Sequence, residues 1–433
     1  MGCSATGGQS SSQSCPSTTE PGVRLTTEDK ALLRGDKGPA LRLAAEMVVA
    51  VGEAEGAASL VDIVSAHVDG CLYHGPSGLD FVLELVAGDG QVAVPTTLNV
   101  GAIDLLHPDL YRGDRASAES ARRLMDAYTD LGCRPTWTCA PYQLPERPGM
   151  GDQIAWGESN AIVFANSVLG ARTNRYGDFL DICCALIGRA PLSGLHTDEG
   201  RRARLVFELE VPDRIFDSDP FYPTLGHLLG ERCGSGVPVI IGLDHRADED
   251  RLKALGAAAA SSGSVAMFHA VGVTPEAGTL ADALGGERPS QRIVVDIEML
   301  SEARRSLSTG DGPVGAVSVG TPHISLAGLA DLAAMVTGKR TTIPFFVNTS
   351  RATLAAAEDT GHASAVRDFG ATIVTDTCTY ITPIIGEVDG AVMTDSAKWA
   401  FYAPANLGVD VVFAALSDCV ATAVTGKTVQ EGW

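Results

Sequence analysis

The residues best equipped for chemistry in this sequence are its thiols and one dense run of amides, hydroxyls and acids. Ten cysteines stand at positions 3, 15, 71, 133, 139, 183, 184, 233, 378 and 419. No two form a C-x-x-C pair, so zinc ribbons and thioredoxin-type redox motifs are excluded. In a reducing compartment such thiols read either as small buried hydrophobes or, where a few converge in space, as thiolate ligands of a metal or iron–sulfur cluster. Polar residues also gather at Ser65–His67, Pro95–Asn99, Val347–Arg351 and Val374–Cys378, each after a short β-branched run. A run rich in Ser, Thr and Asn with an occasional cation suits a small oxyanionic substrate, or simply caps helix N-termini. The densest stretch is Thr138–Arg175, with Cys139, Glu158, Ser159, Asn160, Asn166, Ser167, Arg172, Asn174 and Arg175.

The elements that must position these residues alternate along the chain. "LTTEDKALLRG" predicts a helix with Thr26 or Thr27 as N-cap and Gly35 as stop, and "GPALRLAAEMVVAVGEAEG" a second closed by Gly56. "SLVDIVSAHV" reads as one buried strand, "FVLELVA" as helix, and "QVAVPTTLN" as a strand ending in polar residues. "SAESARRLMDAYTDLG" reads as an amphipathic helix capped near Ser117 or Ser120. From residue 237 onward the same strand–helix rhythm continues to "VDVVFAAL". Short β-branched strands between longer helices predict an α/β architecture of parallel sheets. Pro/Gly-rich residues 210–235, and residues 340–345, are candidate subdomain boundaries. Residues 1–22 are Ser-, Thr- and Gly-rich, a composition that cannot bury enough surface to offset ordering; a disordered tail is expected there, carrying Cys3 and Cys15.

Composition narrows the function. The 433 residues are 45% hydrophobic, enough for a sizeable core, and Lys+Arg 32 against Asp+Glu 53 leaves a net charge of −21. Such a chain repels phosphate backbones and anionic lipid, so neither nucleic acid nor membrane is expected as a partner. No run of about 18 uncharged apolar residues and no secretory signal is present, so the expected location is cytoplasmic.

Taken in order, "PTTLN", "TCAPY", "IAWGESNA", "FANSVLGARTNR", "DTC", "DSAKWAFYAP" and "SDCVATAVTGK" resemble the aconitase X family, over Leu25 to Lys427. The resemblance implies an aconitase-like α/β fold with several parallel-sheet subdomains around a central cleft, and a hydro-lyase reaction at an iron–sulfur cluster held by three cysteines. Three thiolates leave one iron position open as a Lewis acid for the substrate hydroxyl. The cysteines in the family strings are Cys139, Cys378 and Cys419; Cys133, Cys183, Cys184 and Cys233 read as core residues. The resemblance further implies catalytic roles for Glu158, Ser159 and Lys398, and substrate contacts from Gly56, Ala57, Ala58, Ser65, His67, Thr97, Asn99 and Arg172. His67 reads equally as a core histidine, Lys398 as a surface lysine and Arg172 as a partner for a local acid. His323 is a candidate for orienting a neighbouring loop.

Aconitases complete their site with a swivelling domain. Only "TVQEGW" follows Lys427, so that domain is expected on a separate small subunit of roughly 130 to 150 residues. The substrates implied are a small hydroxy acid, cis-3-hydroxy-L-proline first and (R)-5-phosphomevalonate as the alternative. A non-catalytic metal- or ligand-binding α/β protein is the competing class, and would leave the three cysteines far apart. A zinc hydro-lyase is disfavoured, because no H-x-x-x-H spacing occurs.

Overall fold

The computed structural model describes residues 22–243, 246–430 and 432. The tail expected over residues 1–22 lies outside these, Gly22 excepted, as do Cys3 and Cys15. Three units follow one another, each built on a parallel sheet. The first holds β1 (Leu60–Asp62), β2 (Ala66–Val68), β3 (Thr96–Leu98), β4 (Ala155–Trp156) and β5 (Arg189–Pro191). Strands β2, β3 and β4 form a parallel sheet in the order β3-β2-β4, and β1 pairs antiparallel with β5. The second unit holds β6 (Leu205–Leu209), β7 (Pro238–Ile241), β8 (His269–Ala270) and β9 (Gln291–Val295), ordered β8-β7-β6-β9. The third holds β10 (Val314–Ile324), β11 (Phe345–Thr349), β12 (Thr372–Val374), β13 (Ala391–Thr394) and β14 (Val411–Phe413), ordered β12-β11-β10-β13-β14.

Local signals account for much of this. Thr26 caps the helix Thr27–Leu33 in a capping box with Asp29, a reciprocal pairing that satisfies two orphan donors. Each unit has its own apolar cluster. In the second, the helices Phe221–Cys233 and Glu249–Ser262 pack together. They approach so closely that a Cβ on Gly226 would stand 2.0 Å from the carbonyl oxygen of Leu255. Trp399 is completely buried, worth roughly 1.5–3 kcal/mol on the scale of large apolar side chains.

Three expectations are corrected. "SLVDIVSAHV" is two strands in different sheets, β1 and β2. The chain leaves the first at Ile63–Ser65, where Val64 is exposed and its N–H bonds the Gln153 carbonyl. The helix Arg115–Asp130 is capped by Asp114, whose carboxylate accepts from the Ser117 N–H at 2.8 Å, and not by Ser117 or Ser120. Neither candidate boundary separates two sheets. Residues 221–233 are a helix buried in the second unit, its Pro223 tolerated in the first turn, and residues 340–345 lead directly into β11. The sheets change instead between β5 and β6 and between β9 and β10.

Candidate active site and metal centre

Open parallel sheets bind ligands beyond the carboxyl ends of strands where the strand order reverses. In the first sheet the chain runs from β2 to β3 on one side and returns to β4 on the other, so the reversal lies between β2 and β4. Asp69 follows β2 and Glu158 follows β4; Asn99, just past β3, donates its amide to Asp69 Oδ1. The Asp69 N–H bonds Asp181 Oδ2 at 2.6 Å. Gly157 is required here, since a Cβ would meet Asp181 Oδ2 at 2.2 Å and Asp69 Cβ at 2.9 Å. Burial, with Glu158, Asp178 and Asp181 nearby, pushes the Asp69 carboxyl up to about 8. Burial likewise raises Asp181 to about 7. Asp69 therefore holds a proton at neutral pH while remaining partly exposed.

In the third sheet the reversal lies between β10 and β13. Ser396, past β13, caps the helix Ala397–Leu407 by accepting from the Trp399 N–H, and the Trp399 indole N–H is tied to Thr379 Oγ1 at 3.1 Å. Lys398 is thereby aimed back at the first unit. Its ammonium donates to Glu158 Oε1 at 2.5 Å and to Ser159 Oγ at 3.3 Å, and both charged side chains are buried. Burial alone would strip the Lys398 proton, but the Glu158 carboxylate outweighs it and raises the amine well above its ordinary value. Glu158 also caps the helix Ser159–Phe164 through the Ala161 N–H. One carboxylate thus joins a strand end of one unit to a helix start of another.

Beside this pair lie two thiols and an imidazole. Ligand atoms of Cys139, His323 and Cys378 all fall within 4.8 Å of one another, and all three residues are buried. The Asn160 amide holds the Cys139 carbonyl at 2.8 Å, and the His323 backbone N–H approaches Cys139 Sγ at 3.3 Å. The thiols share a hydrogen bond. Burial pushes Cys139 up, but that bond and the Lys398 charge hold it below the ordinary thiol value; Cys378, as the partner in the bond and also buried, is raised well above it. His323 Nδ1 pairs with Thr138 Oγ1 at 3.1 Å and Nε2 with the Thr377 carbonyl at 3.3 Å; burial lowers the ring to about 4, so it is neutral. Across the gap, Asp104 takes the Thr375 N–H and hydroxyl, and the Gly101 N–H bonds the Asp376 carbonyl. These bonds lock the first and third units together around the centre.

Three family models cover nearly all the described chain: the aconitase X first domain over residues 22–199, the second over 203–305 and the third over 314–425. The chain belongs to the aconitase X family. Among its curated relatives is a cis-3-hydroxy-L-proline dehydratase of Pseudomonas aeruginosa, 46% identical over 95% of this chain and 71% of its own length. A phosphomevalonate dehydratase large subunit of Thermococcus kodakarensis is 35% identical over 87% of this chain and 94% of its own length. The crystal structure of Thermococcus kodakaraensis aconitase X in its holo-form superimposes with a TM-score of 0.84 at 33% identity, covering 93% of this chain and all of that one. The relatives are dehydratases, and this aconitase X chain is a hydro-lyase of the same kind.

Aconitase X membership drew the candidate residues from the sequence, and the fold sorts them. Cys139, Cys378, Glu158, Ser159 and Lys398 come together, with Asn99 beside Asp69. Cys419 does not join them. It packs in the apolar cluster of the third unit with Val420 and Ala423, and burial keeps it a neutral thiol. Its helical setting inside a sheet-backing core, rather than past a strand end, explains the correction. Cys133, Cys183 and Cys184 are core residues as expected, and Cys233 packs against the core of the second unit. His67 is buried within β2, bonded through Nδ1 to Thr97 Oγ1 at 2.8 Å, with Nε2 unpartnered; burial lowers it to about 3. Thr97 serves that bond from the middle of β3.

Gly56, Ala57 and Ala58 form the turn that closes the helix Pro39–Ala54; the Ala57 N–H bonds Gly52 and the Ala58 carbonyl takes Arg24. Ser65 precedes β2, the opposite end of the sheet from the site. Arg172 is paired with Asp198 at 2.5 Å and the His196 carbonyl. These five do not meet the Cys139–Lys398 group through any of those bonds. Sequence reasoning missed Asp69 and Asp181; the signal for Asp69 was the acid directly after the strand in "AHVDG".

Proposed function

We propose that this chain dehydrates a cyclic hydroxy amino acid of the cis-3-hydroxy-L-proline type at an iron–sulfur cluster held by Cys139 and Cys378, with a partner subunit supplying the swivelling domain. The observation that carries this reading is the buried Cys139–His323–Cys378 group lying against the Lys398–Glu158 pair at two strand-order reversals. The donor set fits: soft thiolates select iron–sulfur centres, one thiol is already disposed to lose its proton, and His323 is the third donor within reach. When bound, the cluster supplies a Lewis-acidic iron for the substrate hydroxyl.

Elimination breaks a C–H and a C–O bond: a base on the partner's swivelling domain takes the carbon-bound proton, and this chain's residues supply a proton to the departing hydroxyl, so that water leaves. Asp69, protonated at neutral pH and next to Glu158, is suited to deliver that proton. Lys398 holds Glu158 and Ser159 in one array and sets a buried positive charge that also acts on the Cys139 thiol. The substrate follows the relatives: the Pseudomonas and Hypocrea jecorina hydroxyproline dehydratases are 46% and 42% identical, against 35% for the Thermococcus phosphomevalonate enzyme. Phosphomevalonate is the second reading, supported by length: the chain spans 94% of that large subunit and 99% of the one from Methanosarcina mazei. The "large subunit" in those names supports a small partner, and a reducing cytoplasm suits an exposed-iron centre.

The test is anaerobic expression with the partner. The complex should be brown, absorb near about 400 nm and contain iron and sulfide. Cys139→Ser and Cys378→Ser should each abolish the colour and the iron, and Cys419→Ser should retain both. Steady-state assays with both substrates should show turnover of cis-3-hydroxy-L-proline. Turnover of phosphomevalonate alone would establish the second reading.

A further inference from the structure

A cavity of about 370 Å³ opens between the second and third units at the carboxyl ends of β10 and β13, the strand-order reversal of the third sheet. Lys398 forms part of its wall, so the cavity adjoins the Lys398–Glu158 array. Its charges are unusual in one respect. Each cation along it is already matched: Arg251 with Asp219 at 3.1 Å, Lys253 with Asp250 at 2.6 Å, and Lys398 with Glu158. Asp395 makes no ion pair among the described residues, and its Oδ1 is buried with no hydrogen-bond partner. Among the acids, the exposed Asp248 and Asp331 also lack an ion pair among the described residues, but Asp395 differs from them in being partly buried. Burial pushes the Asp395 carboxyl up to about 6, partly offset by backbone N–H groups of Asp395 itself and Gly320 and by the nearby Lys253.

The opposite polarity is also present. Thr321 is 7% exposed and its hydroxyl has no partner. The helix Leu416–Thr425 begins in the cavity wall at Ala415, which offers no side-chain cap to the first-turn amides. Orphan amides at a helix start attract an anion.

We infer that this cavity is the subsite for the zwitterionic end of a cyclic amino acid, with Asp395 receiving the ammonium and Thr321 and the uncapped helix start receiving the carboxylate. The inference rests on the substrate class proposed above and assigns residues to it. Asp395 is then the specificity determinant. It rewards an amine and repels the phosphate of a phosphorylated hydroxy acid.

Isothermal titration of the full chain separates the two polarities with three probes: L-proline, cyclopentanecarboxylate (the same ring and carboxylate without the amine) and inorganic phosphate. The wild type should bind L-proline at least about tenfold tighter than cyclopentanecarboxylate. Asp395→Asn, nearly isosteric, should lose that preference, with L-proline weaker and both anions, cyclopentanecarboxylate and phosphate, at least as tight as in the wild type. Thr321→Val should weaken both carboxylates alike. Equal binding of the two carboxylates by the wild type, or unchanged L-proline binding by Asp395→Asn, overturns the subsite. Turnover keeps the two claims apart. Dehydration of hydroxyproline with an unchanged KM in Asp395→Asn sinks the subsite and leaves the substrate reading standing. Asp395-dependent L-proline binding without hydroxyproline turnover supports the subsite and sinks the substrate reading.

Discussion

Trp156–Asn160 and Asn166–Arg175 are both dense in amides and hydroxyls and lie only a few residues apart, yet the fold uses them differently. The first stretch leaves a strand end at a sheet reversal, and its side chains reach a cation, a thiol-bearing loop and a carboxyl cluster. The second begins in a π-helical turn, Ala165–Leu169, and satisfies backbone. Asn166 spans the Thr173 and Ala266 carbonyls and accepts from the Thr173 N–H and Arg201. Asn174 holds Ser193 and Leu195, and Arg175 bonds the Ala260 carbonyl. Polar density therefore marks two needs, a site and an irregular buried connection between units. Only the partners tell them apart.

That contrast can be broken or sharpened by substitution. The largest effect is expected for Lys398→Met, which leaves Glu158 buried without its counter-charge. Stability should fall by about 3–5 kcal/mol in denaturant titrations, and activity of the folded fraction by about a thousandfold. Asn166→Ala should cost about 2–3 kcal/mol from orphaned buried groups, with kcat/KM of the folded fraction unchanged; a matching loss of turnover would erase the distinction between the halves. Asp181→Asn tests the carboxyl cluster through pH. The folded carboxyl, raised to about 7, holds its proton more tightly than the unfolded one near about 4. Wild-type stability should therefore fall as pH rises from about 4 to 7, where the folded state binds the extra proton. The Asn variant keeps one acceptor oxygen for the two N–H groups that Asp181 takes, from Asp69 and Ile182, and should show a shallower slope in pH-dependent unfolding, the remainder coming from groups such as Asp69. Arg172→Gln should change stability by under about 0.5 kcal/mol, since its partner Asp198 is 84% exposed.

How much was legible follows the same division. Helix starts with side-chain caps, the strand–helix rhythm and the parallel sheets were readable because caps and apolar periodicity are local. So were Cys139, Cys378, Glu158 and Lys398, each within a distinctive string. Asp69 and Asp181 were not, because a lone acid after a strand looks like solvated surface until its neighbours are known. Cys419 misled for the converse reason: its string resembles its family's, but its thiol packs among Val and Ala.

By itself, the order of residues determined which segments became strands and helices, and supplied the thiols, the capping carboxylate and the lysine, because propensity, capping and periodicity act over a few neighbouring positions. The tertiary structure decided which of them meet. Glu158 and Lys398 are 240 positions apart, and only the placing of two sheet reversals against each other brings them to 2.5 Å in a buried setting. There the attraction is strong because water is excluded.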